Sequence, residues 1–103
     1  MLVKSEAATQ QTGVVTSIQV NKSYGGGMVA FYIQGTTPIG HPACVTDPTR
    51  WVVKTTDGNM LNAALIAALL AAYSTGKQVA VEGTGVCTVI PWAEDINSIT
   101  VLP

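Results

Sequence analysis

The sequence predicts a mainly β fold with one helix, and three observations carry that reading. Short apolar-alternating runs recur between glycine- and proline-rich stretches, as half-buried strands separated by turns do. One long run near the middle is apolar on every side and too long for a strand. Three strand-like runs precede it and at least two follow. A single helix between the third and fourth strands of a small β chain is the layout of an OB-fold barrel of five to six strands.

Residues 1–11 are polar and read as a flexible N-terminal segment, which leaves residues 12–103 as one domain. Residues 12–20 alternate, with Val14, Thr16, Ile18 and Val20 on one face and Val15, Ser17 and Gln19 on the other. Residues 21–27, Asn-Lys-Ser-Tyr-Gly-Gly-Gly, form a turn, with Tyr24 to Gly27 at the hairpin tip. Residues 28–34 give the second strand, with Val29, Phe31 and Ile33 on one face. Residues 35–50 contain Pro38, Pro42 and Pro48 and read as a loop, with a short strand near residues 43–45. Residues 51–55 are the third strand, and Trp51 belongs to its core face.

Asp57 is placed to cap a helix over residues 59–74, since its carboxylate can accept the free N–H groups of the first turn. Gly76 sits where a left-handed terminator belongs. Residues 77–82 are the fourth strand. Gly83-Thr84-Gly85 breaks it, residues 86–90 continue as a sixth strand, residues 91–95 are loop and residues 96–102 form the last strand.

The helix is the most informative element. Between Met60 and Tyr73 only Asn62 is polar. Leu61, Leu65, Ile66, Leu69, Leu70 and Tyr73 fill one half of its circumference and should cover the core. Ala63, Ala64, Ala67, Ala68 and Ala71 fill most of the other half. A helix on a monomer's surface shows water a polar face, and this one has none. Alanine is a good helix former that water tolerates, but a face of small residues also admits a close neighbour. The expectation is a homo-oligomer built on this face, closed into a ring because a head-to-tail contact either closes or grows into a fibre.

Composition narrows function. The chain has 103 residues, of which 48% are hydrophobic and 11% charged, with a net charge of -1. That excludes a disordered tail and argues against nucleic acid, which requires a basic face. No apolar run is long enough for membrane insertion. The start of the chain is polar and lacks the apolar core of a signal peptide. Either the protein stays in the cytoplasm, or a leader has been removed and it is secreted or periplasmic. Cys44 and Cys87 are far apart and, with His41 the single histidine, offer no zinc set. Paired, they would close a long loop worth about 4 kcal/mol and imply an oxidising compartment; unpaired, they are two small buried hydrophobes. The reading favours the disulfide.

Catalysis has little support, and no enzyme, cofactor or metal is expected. Glu94 and Asp95 are adjacent, so on an extended segment their side chains point apart. His41, in Gly40-His41-Pro42, has no nucleophile or orienting group in view and reads as an exposed loop residue. Gly83-Thr84-Gly85 is not followed by a helix and so is no phosphate loop. Trp92, beside Pro91, can stack on a sugar or anchor a contact, or else pack locally. Hydroxyls, amides and a few aromatics with little charge suit a glycan better than a phosphate.

These segments also resemble a known family. Thr12-Gly13-Val14-Val15-Thr16, a polar turn and Ala30-Phe31-Tyr32-Ile33-Gln34-Gly35 are similar to the opening of B subunits of subtilase-cytotoxin-like and pertussis-like bacterial toxins. The likeness continues through Ala43-Cys44, Trp51, Tyr73-Ser74-Thr75-Gly76-Lys77-Gln78-Val79 and Gly85-Val86-Cys87-Thr88. It implies an OB-fold subunit of a pentamer, with helices lining a pore for a catalytic A subunit and a face that binds sialylated glycans. It implies a ligand-binding role for Thr12, whose hydroxyl matches the family's contact to the sugar carboxylate. Gln10 and Gln34, with Trp92, complete the candidate site. The family's acidic residues are absent, since Ala8, Thr9, Gln10 and Gln11 occupy one stretch and Gln34 the other. Cys87 stands where the family has tryptophan, so a Cys44–Cys87 bond would join different elements. The rival expectation is a structural or partner-binding oligomer on the same fold without a sugar site.

Overall fold

The computed structural model describes residues 9–23, 27–55 and 60–103. The hairpin tip at Tyr24 to Gly26 and the Asp57 cap lie outside these residues. The elements are β1 (Gln10–Asn21), β2 (Met28–Gly35), β3 (Arg50–Lys54), α1 (Met60–Thr75), β4 (Gln78–Gly83) and β5 (Glu94–Val101). The protein is therefore mainly β, with one described helix between the third and fourth strands. The strand order β1-β2-β3-β5-β4 closes on itself, because β1 pairs with β4 as well as with β2. All pairings are antiparallel except the short β3–β5 pair.

Two hydrophobic clusters explain why β2 and β3 are apolar on both faces. Val29, Phe31, Ile33, Trp51 and Val53 point into the main core, with Val15 from β1, Val79 and Val81 from β4, and Leu69 and Ala72 from α1. Met28, Ala30 and Val52 point the other way, under Ile90, Ala93 and the half-buried Trp92. The 89–93 segment thus lies over the outer face of β2 and β3.

Several expectations are corrected. The domain begins before residue 12, since Thr9 and Gln11 are buried and Gln10 and Gln11 lie in β1. The faces of β1 do not keep one phase along its length. Gln11, Gly13 and Val15 point inward, the register shifts between Val15 and Ser17, and Ile18 then turns toward the core. A bulge adds one residue to a strand and so exchanges its faces. Val20 is consequently exposed. Residues 43–45 form a turn rather than a strand. Residues 86–89 are not a sixth strand, because their amides are drawn to side chains: the Asp95 carboxylate accepts from the Thr88 and Val89 N–H groups. Ile90 makes only an isolated bridge to Ala93. The last strand starts at Glu94, earlier than the sequence suggests.

Gly76 ends α1 with φ of 71°, as expected of a left-handed terminator. The helix buries a narrower stripe than its leucines suggest. Leu69 and Ala72 are buried, and Leu65 and Ile66 are packed against the core. Leu61 and Leu70, assigned to the core, are 70% and 50% exposed, and Tyr73 is 48% exposed. At about 3.6 residues per turn, Leu61 and Leu70 fall on opposite flanks of the Leu69 direction, beyond the reach of the sheet. The outward face is therefore alanine at its centre, in Ala63, Ala64, Ala67 and Ala71, with Leu61 and Leu70 at its edges and Met60 at one end. Ala68 is half-buried, at the margin of this face. The described helix is not long and apolar enough to cross a membrane.

Candidate functional site

Three of the four nominated ligand-binding residues come together where β1 and the end of β2 meet the 36–40 loop. Gly13 and Gly35 face each other across the β1–β2 ladder. A Cβ on Gly13 would lie 2.3 Å from the Gln34 carbonyl oxygen, and one on Gly35 would lie 2.1 Å from that of Thr12. The two strands approach this closely only because neither residue has a side chain. Just beyond, the Thr36 N–H donates to the Thr12 carbonyl (2.8 Å) and the Thr12 N–H donates to Thr36 Oγ1 (2.9 Å). The result is a ridge with a cleft on each side.

The first cleft, of about 430 Å³, lies between Thr16, Tyr32, Gln34 and the Pro48–Thr49 segment. The second, of about 490 Å³, lies between Gln10, Thr12, Ile39 and Gly40. Gln11, Thr36 and Thr37 line both. Gln10 and Thr12 also border a smaller outer hollow of about 180 Å³ with Glu82, Ser98 and Thr100. There Gln10 Nε2 donates to Glu82 Oε2 at 3.3 Å.

Trp92 is not part of this site. It is half-buried against the outer cluster of Met28, Ala30 and Val52, on the far side of β2 and β3 from the main core. Its loop position suggested an exposed ring, but Ile90 and Ala93 anchor that loop to the sheet.

The residues missed by the sequence reading are those that build the floor. Gln11 is 2% exposed and spends its whole side chain inside the protein. Its amide donates to the Ile33 and Thr36 carbonyls, and its Oε1 accepts from the Trp51 indole at 2.8 Å. No local signal marks it, because its partners lie 22, 25 and 40 residues further along the chain. Tyr32 forms part of the first cleft's wall. Its hydroxyl donates to Asp47 Oδ2 at 3.0 Å, and the Arg50 guanidinium lies over its ring at 5.6 Å.

Burial, followed by the Asp47 carboxylate beside it, pushes the Tyr32 phenol above the usual tyrosine value, against the opposing pull of Arg50. A raised value means that the folded protein holds this proton more tightly than the unfolded chain does. The associated stability is complete below the free-tyrosine value of about 10 and is lost as pH rises through the folded value. Titration followed by phenolate absorbance should show one tyrosine ionising later than free tyrosine, and Tyr32→Phe should remove that late phase. A profile unchanged by Tyr32→Phe would contradict the assignment.

His41 is not the exposed residue expected of its loop. Its side chain is 10% exposed and packs against the Trp51 ring, with centroids 5.1 Å apart. Nδ1 lies 2.7 Å from Glu94 Oε1 and Nε2 lies 2.8 Å from the Pro48 carbonyl. Glu94 is fully buried, and its Oε2 accepts the Gly85 N–H at 2.7 Å. A Cβ on Gly83 would lie 2.0 Å from that same oxygen, so the missing side chain makes room for the carboxylate. Cys44 and Cys87 form a disulfide between the same two loops. His41, Glu94 and the disulfide thus hold in place the loop that carries Pro38, Ile39 and Pro48 into the clefts. No group of three or more His, Cys, Asp or Glu placed to hold a metal ion occurs among the described residues.

No protein-family model, curated protein or solved structure matches the chain.

Proposed function

We propose that the chain is a non-enzymatic, ring-forming OB-fold protein that binds carbohydrate through the β1–β2 clefts and assembles through α1. The carbohydrate reading rests on one observation: Gln10, Thr12 and Gln34 border adjoining clefts that share Gln11, Thr36 and Thr37, the first walled also by Tyr32, Ile33 and prolines and the second by Ile39. Amides and hydroxyls both donate and accept, which matches the hydroxyls of a sugar. A glycan array probed with protein shown to be folded tests it directly, and an array without hits removes the carbohydrate assignment.

Assembly is supported by the outward face of α1, where Met60 is 86% and Leu61 70% exposed with no charged residue in the helix. Apolar surface of this kind marks contact sites, and the alanines allow a second helix to approach. Five copies around a pore, with a catalytic chain as partner, is the form implied by the resemblance to toxin B subunits. The disulfide favours a secreted or periplasmic setting. Light scattering behind a sizing column should give a mass several times that of one 10.7 kDa chain. Ala67→Glu would place a charge in the middle of the contact and should shift the protein to monomer with its circular dichroism unchanged. A wild-type monomer would show that water covers this face.

The rival reading, a structural or partner-binding oligomer without a sugar site, keeps the same assembly. It predicts that Thr12→Ala alters no binding property while Ala67→Glu still breaks the oligomer.

A further inference from the structure

We infer that the two clefts form one saddle-shaped site and that its ligand is an uncharged oligosaccharide of at least two rings laid across the ridge, an inference that rests on the carbohydrate reading above. The ridge cannot yield to a single ring. Thr36 is bonded to Thr12 through both backbone and hydroxyl, Gln11 holds the Thr36 carbonyl from beneath, and the Gly13–Gly35 contact closes the strands behind it. Each cleft is within the size range of a small-molecule site. A monosaccharide therefore fills one side and leaves the other to water.

The side chains that could hold such a ligand are distributed to suit. Gln34 borders the first cleft, Thr12 the second and Thr37 both, and among the described residues none of these side chains has a hydrogen-bond partner. Pro48 on one side and the exposed Ile39 on the other offer apolar surface to the C–H faces of sugar rings.

Charge sets the class of sugar. Among the described residues, neither cleft is lined by any Lys, Arg, His, Asp or Glu. Arg50 follows Thr49 without lining either cleft; its guanidinium donates to Gln19 Oε1 and lies over the Tyr32 ring, while its Nε is buried without a hydrogen-bond partner among the described residues. A carboxylate or sulfate seated here would lose hydration without gaining a counter-charge. A neutral hydroxyl loses less and regains it from the amide and the threonines.

The test is an array carrying neutral and sialylated oligosaccharides, followed by calorimetry with a retained neutral disaccharide and its component monosaccharides. The expected result is retention of neutral glycans, with the disaccharide at least about tenfold tighter than either monosaccharide. Gln34→Ala and Thr12→Ala, one on each side, should each weaken it about five- to tenfold, the loss of one hydrogen bond, with the melting temperature unchanged. Retention of sialylated glycans alone would overturn the inference and leave the carbohydrate reading standing. So would equal affinity for monosaccharide and disaccharide. No retention of any glycan by folded protein would overturn both.

Discussion

Replacing Glu94 with alanine should lower the free energy of unfolding by about 2–6 kcal/mol, the cost of leaving two polar groups without their partner. The side chain is fully buried and both oxygens are in use, Oε1 toward His41 Nδ1 and Oε2 on the Gly85 N–H. Alanine would strand an imidazole nitrogen and a backbone N–H together, and would leave a void beneath Gly83. Glu94→Gln preserves the volume and one acceptor, so its cost should be smaller, about 1–3 kcal/mol for one mispaired buried group. Urea denaturation of the two variants beside the parent protein measures both, and the glutamine variant keeps the test readable if the alanine variant does not fold. A loss below about 1 kcal/mol for Glu94→Ala would put its weight at that of a surface ion pair and would contradict the buried hub described here.

The strands and the helix were legible in the sequence because their signals are local. The apolar runs of β2, β3 and α1, and Gly76 at the end of α1, each depend on neighbouring residues alone. The phase of β1 was not legible, because the bulge at Thr16 is imposed by pairing with Ser17↔Tyr32 on one side and Val15↔Ile33 on the other. The 86–90 segment read as a strand because Val86, Thr88, Val89 and Ile90 are β-branched, but the Asp95 side chain and the disulfide fix its backbone outside the ladder. Gln10, Thr12 and Gln34 were placed together by resemblance, and the structure brings them around one ridge. For Trp92 the sequence left a contact role and local packing open, and the packing follows from Met28 and Ala30, whose apolar side chains on the outer face of β2 call for a cover. Gln11 and Glu94 were invisible as structural residues, since a buried polar side chain is justified only by partners distant in the chain, here Trp51 and His41.

Breaking the disulfide should have an effect of similar size, and its coupling to Glu94 distinguishes a shared latch from two separate supports. Cys44 and Cys87 are 43 residues apart. Freeing a loop of that length in the unfolded chain corresponds to about 4 kcal/mol in the chain-entropy treatment. Cys44→Ala/Cys87→Ala should therefore unfold at much lower urea concentration than the oxidised parent, and the parent in reductant should move toward the variant. The bond fastens the 36–49 loop to the 84–93 segment, which is the same pair that His41, Glu94 and Gly85 join without covalent help. Once the disulfide is absent, part of what Glu94 holds is already loose, so removing Glu94 as well should cost less than it does in the oxidised protein. A double-mutant cycle reads this directly, since groups acting on one shared element depart from additivity by about 0.5–3 kcal/mol. Strict additivity would mean that each tie secures its own part of the loop. A shortfall would mean that the cleft wall containing Pro38, Ile39 and Pro48 is released as a unit, and glycan binding should then fall in both variants although neither alters a residue that lines the clefts.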